Sequence, residues 1–313
     1  MARLGSFDNK LVVLIGGGGF LGRHVAQELL ARGARLRITD RHPEKAVRLK
    51  PLANLGQIQF VRCDVTNARS VAGVVQGADA VVYLPGTFGA NQRAVQADGA
   101  GAAARAAAAA GVQAFAHVSA IGADADSASG YASTKGLGEQ QVLAAFPTAT
   151  VLRPSVLFGD EDQFINLFAG LVQSLPMVPV FGPEARLQPL WVDDAALAIA
   201  NALADPAMHG GKTYELAGPE VLTMMQLHQR INAAQGRERA LLAVPDALAG
   251  LFAALPGTPM NSDQWNLLKQ GNVAGGTLPG LAALGVEPKP LGLFLDRWMV
   301  RYRNHGRFST RTA

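Results

Sequence analysis

Strand-like runs recur along the first half of this chain, at Leu11–Ile15, Arg35–Thr39, Ile58–Arg62, Ala80–Leu84, Ala114–Ser119 and Thr150–Arg153; Leu11–Ile15 and Ala80–Leu84 are unbroken apolar blocks, whereas Arg35–Thr39 and Ile58–Arg62 carry interspersed polar residues. Blocks of this length without in-and-out alternation read as strands buried on both faces, and the segments between them carry apolar residues at helical spacing. The alternation predicts an α/β fold: a doubly wound parallel sheet of the Rossmann type, with helices on both faces and right-handed crossovers. Ala102–Ala110, interrupted only by Arg105, is a strong helix former whose small side chains permit close packing on a sheet. After Pro154 the alternation weakens, and Pro176, Pro179, Pro183 and Pro189 punctuate the chain. The pattern therefore predicts a Rossmann domain over residues 1–153 and a smaller C-terminal substrate or partner lobe over 154–313, with segments near 188–218 returning to the sheet. Thr213–Glu220 reads as such a returning strand and turn, and a helix is expected from Thr223.

The first strand runs directly into GGGGFLG, with Gly16, Gly19 and Gly22 in a G-x-x-G-x-x-G register. Missing side chains there allow a tight turn, close approach of a phosphate and close helix packing. The helix that follows offers unpaired N–H groups and a positive dipole end to an anion, so a diphosphate needs no cationic side chain in the loop. Phe20 and Leu21 belong to the same loop. The second strand ends at Asp40, eighteen residues after Gly22, close to the spacing of a ribose-binding carboxylate. Asp40 favours NAD(H) because its charge repels an additional ribose phosphate, while Arg41 keeps NADP(H) within reach through its guanidinium. Asp64 and Val65 after the third strand, and Leu84, Pro85 and Gly86 after the fourth, lie at the carboxyl edge where ligands of such sheets bind.

Composition narrows the picture. With 313 residues, 49% hydrophobic and 17% charged, the chain is long and apolar enough to bury a full core. Its net charge of +4 is spread along the chain, which argues against nucleic-acid binding. The one dense basic group is C-terminal: Arg297, Arg301, Arg303, Arg307 and Arg311. Cys63 is the sole cysteine, so no internal disulfide forms, and a buried thiol in a reducing, cytoplasmic setting is expected. No apolar run reaches membrane-spanning length, and the six histidines show no ligand spacing, so neither a transmembrane segment nor a metal site is expected.

Candidate chemistry sits beyond the fifth strand. Ser119 ends that strand, and Tyr131 and Lys135, four residues apart, share one face of the helix predicted from Tyr131. An ammonium beside a phenol lowers the phenol's pKa and makes Tyr131 a candidate acid/base for a carbonyl/alcohol pair. Lys135 also suits a nicotinamide ribose, and Ser119 suits the substrate oxygen. Farther on, Phe164, Ile165, Leu167, Phe168, Leu171 and Val172 form a helical apolar stripe that reads as packing, as do Trp191, Trp265 and Trp298.

GGGGFLG, the Asp64-Val65 step, HVSAIGAD, YASTK and RPSVLFG together resemble the extended and atypical short-chain dehydrogenases/reductases, the NAD-dependent epimerase/dehydratase-like group. RPSVLFGDEDQFINLFA, LQPLWVDDAALAIA, YELAGPEVLTMMQL, SDQWNLLKQGNVAGG and RYRNHGRF resemble, more narrowly, the nucleotide-binding accessory subunits of respiratory complex I and their bacterial relatives. The resemblance implies an NAD(P)(H) site that also uses Tyr131, Lys135 and Pro154. It implies either a bound nucleotide without turnover or an oxidoreductase or epimerase acting on a small carbonyl, quinone-ring or isoprenoid-like substrate. Partners would be respiratory complex I or quinone-biosynthesis proteins, with a peripheral location on the inner face of the respiratory membrane. In two respects the chain departs from the group: the helix asparagine is replaced by Gln96, which places a proton relay through that position in doubt, and the acidic Asp40 departs from an arginine-only NADP pattern.

Overall fold

Hydrogen bonding turns the apolar blocks into one all-parallel sheet. The computed structural model describes residues 6–255, 257–258, 260–304 and 306. Its strands β1 (Leu11–Ile15), β2 (Arg35–Asp40), β3 (Ile58–Arg62), β4 (Ala80–Tyr83), β5 (Ala114–Val118) and β6 (Thr150–Pro154) are extended at one edge by Thr213–Leu216. The order is β3-β2-β1-β4-β5-β6 followed by Thr213–Leu216, and each neighbouring pair is parallel. β4 and β5 are buried along their whole length and β1 along all but its first residue, which is why these strands lack polar alternation. The order reverses between β1 and β4, which opens a ligand crevice at their carboxyl ends.

Helices α1 (Phe20–Ala31), α2 (Ala68–Val75), α3 (Gly99–Ala109) and α4 (Gly130–Ala145) flank the sheet. Val13, Ile15, Val81, Tyr83 and Phe115 share a core with α2, α3 and α4 residues, including the buried Ala100, Ala103, Ala104 and Ala107. Those alanines bring α3 close to the sheet, as the composition of the segment predicts. A π-helical turn, Arg93–Asp98, leads straight into α3 and buries Gln96. Cys63 is buried in the same core. Alongside α1 runs the helix Val192–Ala204, joined to it by His24–Asp193 and by Arg32, whose guanidinium donates to Asn201 at 2.8 Å.

Contacts divide the chain into two compact units. One comprises the described residues up to Pro154 together with Val192–Leu216 and Gly275–Glu287. The return of Gly275–Glu287 carries no motif in the sequence. It is pinned by the Gly275 N–H, which donates to Glu215 at 2.7 Å, and by the Glu215 N–H, which donates to the Pro279 carbonyl at 3.0 Å.

The other unit comprises Ser155–Trp191, Ala217–Ala274 and the described residues from Pro288 onward. In its helix Phe164–Ser174, Ile165, Ala169 and Val172 are buried while Leu167 is exposed, so most of the apolar stripe packs inward. Thr223 and Gln226 close a capping box on the helix Met224–Ala234. Trp265 and Trp298 are buried, and Trp191 stacks on Phe294 with 3.9 Å between ring centroids. Of the C-terminal basic group, Arg301 donates to Asn166 at 2.7 Å and Arg303 to the Ala234 carbonyl at 2.8 Å, so these two are bound within the unit rather than forming a free patch. Arg307, Arg311 and part of RYRNHGRF lie outside the described residues. Among the described residues no helix is long and apolar enough to cross a membrane, and no cluster of three or more metal-ligating side chains occurs.

In the first unit, Arg153 at the end of β6 grips Glu139 of α4 with two hydrogen bonds of 2.9 and 2.6 Å, and the Glu139 side chain is only 7% exposed. Removing one partner strands the other charge away from water. We expect Glu139→Ala to destabilise the protein by about 3 kcal/mol and Glu139→Gln by clearly less, measured by urea denaturation.

Candidate functional site

β1 delivers the chain to Gly16, whose φ of +78° turns it sharply. The N–H groups of Gly16 and Gly17 both donate to the Thr39 carbonyl, at 2.8 and 3.2 Å, and this ties the loop to the end of β2. A Cβ at Gly22 would lie 2.6 Å from the Gly17 Cα, so α1 meets the loop at a distance only glycine allows. Gly19 caps α1 with extended backbone; no side chain caps the helix, and its first turn holds no acidic residue. The positive end of α1 therefore remains available to an anion. At Gly19 an added Cβ would meet only the Gly16 carbonyl, at 3.4 Å, so a side chain there would occupy the space over the loop.

That space is part of a cleft of about 410 Å³. It is lined by Gly16, Gly19, Phe20, Leu21 and Gly22, by Asp40 and Arg41 after β2, by Asp64 and Val65 after β3, and by Leu84, Pro85 and Gly86 after β4. Thr66, Thr87, Asn91 and Val95 complete the lining. These four were not read from the sequence. Thr66 was the accessible one, because Asp64 accepts from both its N–H (3.0 Å) and its hydroxyl (2.7 Å), an Asx turn encoded by the Asp-Val-Thr step. The hydrogen bonds from Thr66, with smaller help from Arg41 and Arg62, hold the Asp64 carboxyl below its usual range. Asp40 accepts from the His42 N–H at 3.0 Å, and its Oδ2 lies 3.0 Å from where a Gly18 Cβ would stand. A ring of glycine backbone facing an uncapped helix end, with a carboxylate at the far side, fits a dinucleotide. The loop amides would hold the diphosphate and Asp40 a ribose.

Ser119, Tyr131, Lys135 and Pro154 do not line this cleft. The Pro154 carbonyl accepts from Ile121 at 3.1 Å, and the Ser119 N–H donates to Leu152 at 2.7 Å, which fixes the turn after β5. Lys135 is buried, and its Nζ donates to the Val118 carbonyl at 3.0 Å. That ammonium stands 6.0 Å from the centre of the Tyr131 ring, which itself stacks on Phe88 at 4.3 Å. Gln96 spans the gap from the β4 loop to α4: its Oε1 accepts from the Thr87 N–H at 2.9 Å, and its Nε2 donates to Thr134 Oγ1 at 2.7 Å. Burial pushes the Tyr131 phenol up to about 12, opposite to the lowering that the Tyr131/Lys135 spacing suggests. Burial likewise draws Lys135 down to about 8, against a smaller opposing pull from Glu139. Helical spacing places the two residues on one face but carries no information on how dry that face is.

A protein family described as NAD(P)H-binding matches residues 16–163, the stretch that holds the loop, the cleft and Tyr131 with Lys135. The chain is 31% identical over 312 residues to the mouse mitochondrial NADH dehydrogenase [ubiquinone] 1 alpha subcomplex subunit 9, covering 96% of this chain and 82% of that protein. The chain belongs to the family of this subunit. It also matches the subunit of the same name from Dictyostelium discoideum at 33% identity, over 68% of this chain and 60% of that protein's length. A ceramide reductase from Caulobacter vibrioides is 29% identical over 80% of each chain.

The fold of this NAD(P)H-binding chain is shared by solved epimerase- and dehydratase-type structures. DesIV, a dTDP-glucose 4,6-dehydratase from Streptomyces venezuelae, superposes with a TM-score of 0.72 at 18% identity over 93% of this chain and 96% of that one. The UDP-glucose 4-epimerase of Thermotoga maritima gives 0.69 at 17% identity over 93% and 98%.

Two consequences can be measured. Gly19→Val is expected to leave thermal stability nearly unchanged while lowering dinucleotide affinity at least about tenfold, whereas Gly22→Ala should lower both, as read by calorimetric titration and thermal unfolding. The second concerns pH. Below about 8 Lys135 is protonated folded or unfolded, and its desolvation cost is fully present. Between about 8 and the unfolded value of 10.5 the unfolded chain binds the extra proton, so this group's contribution to unfolding free energy rises with pH. Tyr131, neutral in the folded protein up to about 12, acts with the opposite sign above its ordinary value of 10.0. Urea denaturation from pH 8 to 10 should show a rising component that Lys135→Met removes.

Proposed function

We propose that this chain is a nucleotide-holding accessory protein of a respiratory NADH:quinone oxidoreductase assembly, peripheral to the membrane, and that the nucleotide it retains is NAD(H). The observation that carries holding over turnover is the condition of Tyr131. One face of its half-buried ring stacks on Phe88, and its phenol is pushed up rather than down, so the group is poorly suited to giving up its proton at neutral pH. Likeness to the mouse subunit across 96% of the chain supports the choice of partner. Asp40 on the cleft wall supports NAD(H) over NADP(H), since a carboxylate accepts ribose hydroxyls and repels a phosphate.

A second reading, a carbonyl reductase, is favoured by the intact Ser119, Tyr131 and Lys135 and by the likeness to a ceramide reductase. In it the glycine loop and Asp40 would hold a reduced dinucleotide, whose chemistry when bound would be hydride donation to a carbonyl carbon. Tyr131 gives its proton to the carbonyl oxygen, and Ser119 orients that oxygen.

Purified protein passed through gel filtration, then denatured and analysed by chromatography, should release NAD(H) at about one equivalent per chain. The native protein should consume no hydride with quinone, aldehyde or ceramide-type ketone substrates. Rapidly exchanging nucleotide with a turnover reduced at least about a hundredfold in Tyr131→Phe would overturn holding in favour of the reductase. Asp40→Asn should shift the preference toward NADP(H) by about tenfold; an unchanged preference would remove Asp40 from the ribose site.

A further inference from the structure

Beneath Lys135 the interior contains polar atoms without protein partners. His117 on β5 is fully buried, and among the described residues neither ring nitrogen has a hydrogen bond. Ser119 follows two residues later, on the same face of the chain's extended run, and its buried hydroxyl is likewise unpartnered. Between them, the Val118 carbonyl accepts from Lys135 Nζ at 3.0 Å. The hydroxyl of the ring packed nearest His117 is already committed. Tyr83, whose ring lies 5.8 Å from that of His117, gives its hydroxyl to the Val95 carbonyl at 2.5 Å.

Leaving a buried donor or acceptor unmatched costs about 1–3 kcal/mol each, and protein interiors usually resolve such sets with internal water that finds two to four polar partners. The complement here suits one. A neutral imidazole offers one donor and one acceptor, a serine hydroxyl offers both, and the ammonium has two protons beyond the one given to Val118.

We propose that His117, Ser119 and Lys135 enclose an internal water site, and that His117 is a positioning residue which holds the Lys135 ammonium in place through that water. The groups facing His117 are Tyr83 from β4 and Lys135 from α4. Tyr131 and Glu139 lie on the same helix as Lys135, and Glu139 is neutralised by Arg153 of β6. Burial, with the Lys135 charge as a smaller cause, holds His117 down to about 3, so its acceptor nitrogen stays bare at any physiological pH. This role goes beyond nucleotide holding and does not require turnover.

The test uses the full-length protein. Nitrogen-15 spectra of histidine-labelled wild type should show the His117 ring with one protonated and one bare nitrogen from pH 5 to 8, and with cross-relaxation to a long-lived water. A ring that takes up a second proton within that range, or that shows no such water, overturns the proposal. With lysine labelled at the ε-carbon, His117→Leu should lower the Lys135 titration midpoint by about one unit, a tenfold loss of proton affinity, while His117→Gln, which keeps a donor and an acceptor, should stay close to wild type. Equal midpoints in wild type and His117→Leu also overturn it. If His117→Leu fails to fold, the wild-type spectra decide alone. The identity of the co-purifying nucleotide is read separately, so either proposal can fail without the other.

Discussion

Bare backbone at the junction of β1 and α1 is the constraint on which the rest of the first unit depends. The 2.6 Å that would separate a Gly22 Cβ from the Gly17 Cα leaves no room for a side chain, and that contact brings the start of α1 over the end of the sheet. Once α1 is there, its uncapped positive end faces the crevice between β1 and β4, and the loops after β2, β3 and β4 supply the remaining walls. The Thr39 carbonyl, by accepting from two loop amides, couples this geometry to the strand that carries Asp40. One local absence of side chains thus sets both the electrostatics of the cleft and the position of its carboxylate.

The strands were legible in the sequence because burial on both faces removes polar alternation, and it does so most completely in β1, β4 and β5. The cleft was legible at Gly16–Gly22, Asp40–Arg41, Asp64–Val65 and Leu84–Gly86 because each contributor follows a strand at a fixed short distance. Thr87, Asn91 and Val95 escaped notice because they reach the cleft through the path of the chain from β4 to the π-helical turn, which has no local signature. The same holds for Gly275–Glu287, whose place depends on a hydrogen bond to Glu215 sixty residues earlier.

The surroundings of Tyr131 and Lys135 show the limit of spacing arguments most clearly. A separation of four residues was enough to place them together, but the chemistry of each depends on residues far away in sequence: Phe88 over the phenol and the Val118 carbonyl under the ammonium. Both are desolvated, so each is shifted toward its neutral form. Gln96, although buried, serves as a strut between the β4 loop and α4, a role that its amide performs with both ends.

The π-helical turn at Arg93–Asp98 has a consequence for how this region can vary. Such a turn contains one residue more than an α-helical turn, and a single deletion would tighten it and swing everything downstream by about 100° around the helix axis. The alanine face of α3 would then rotate off the sheet, and Gln96 would lose its reach to Thr134. Side chains on the outer surface of this turn are therefore free to drift, whereas its length is locked: tolerance to substitution and intolerance to insertion or deletion coexist within six residues.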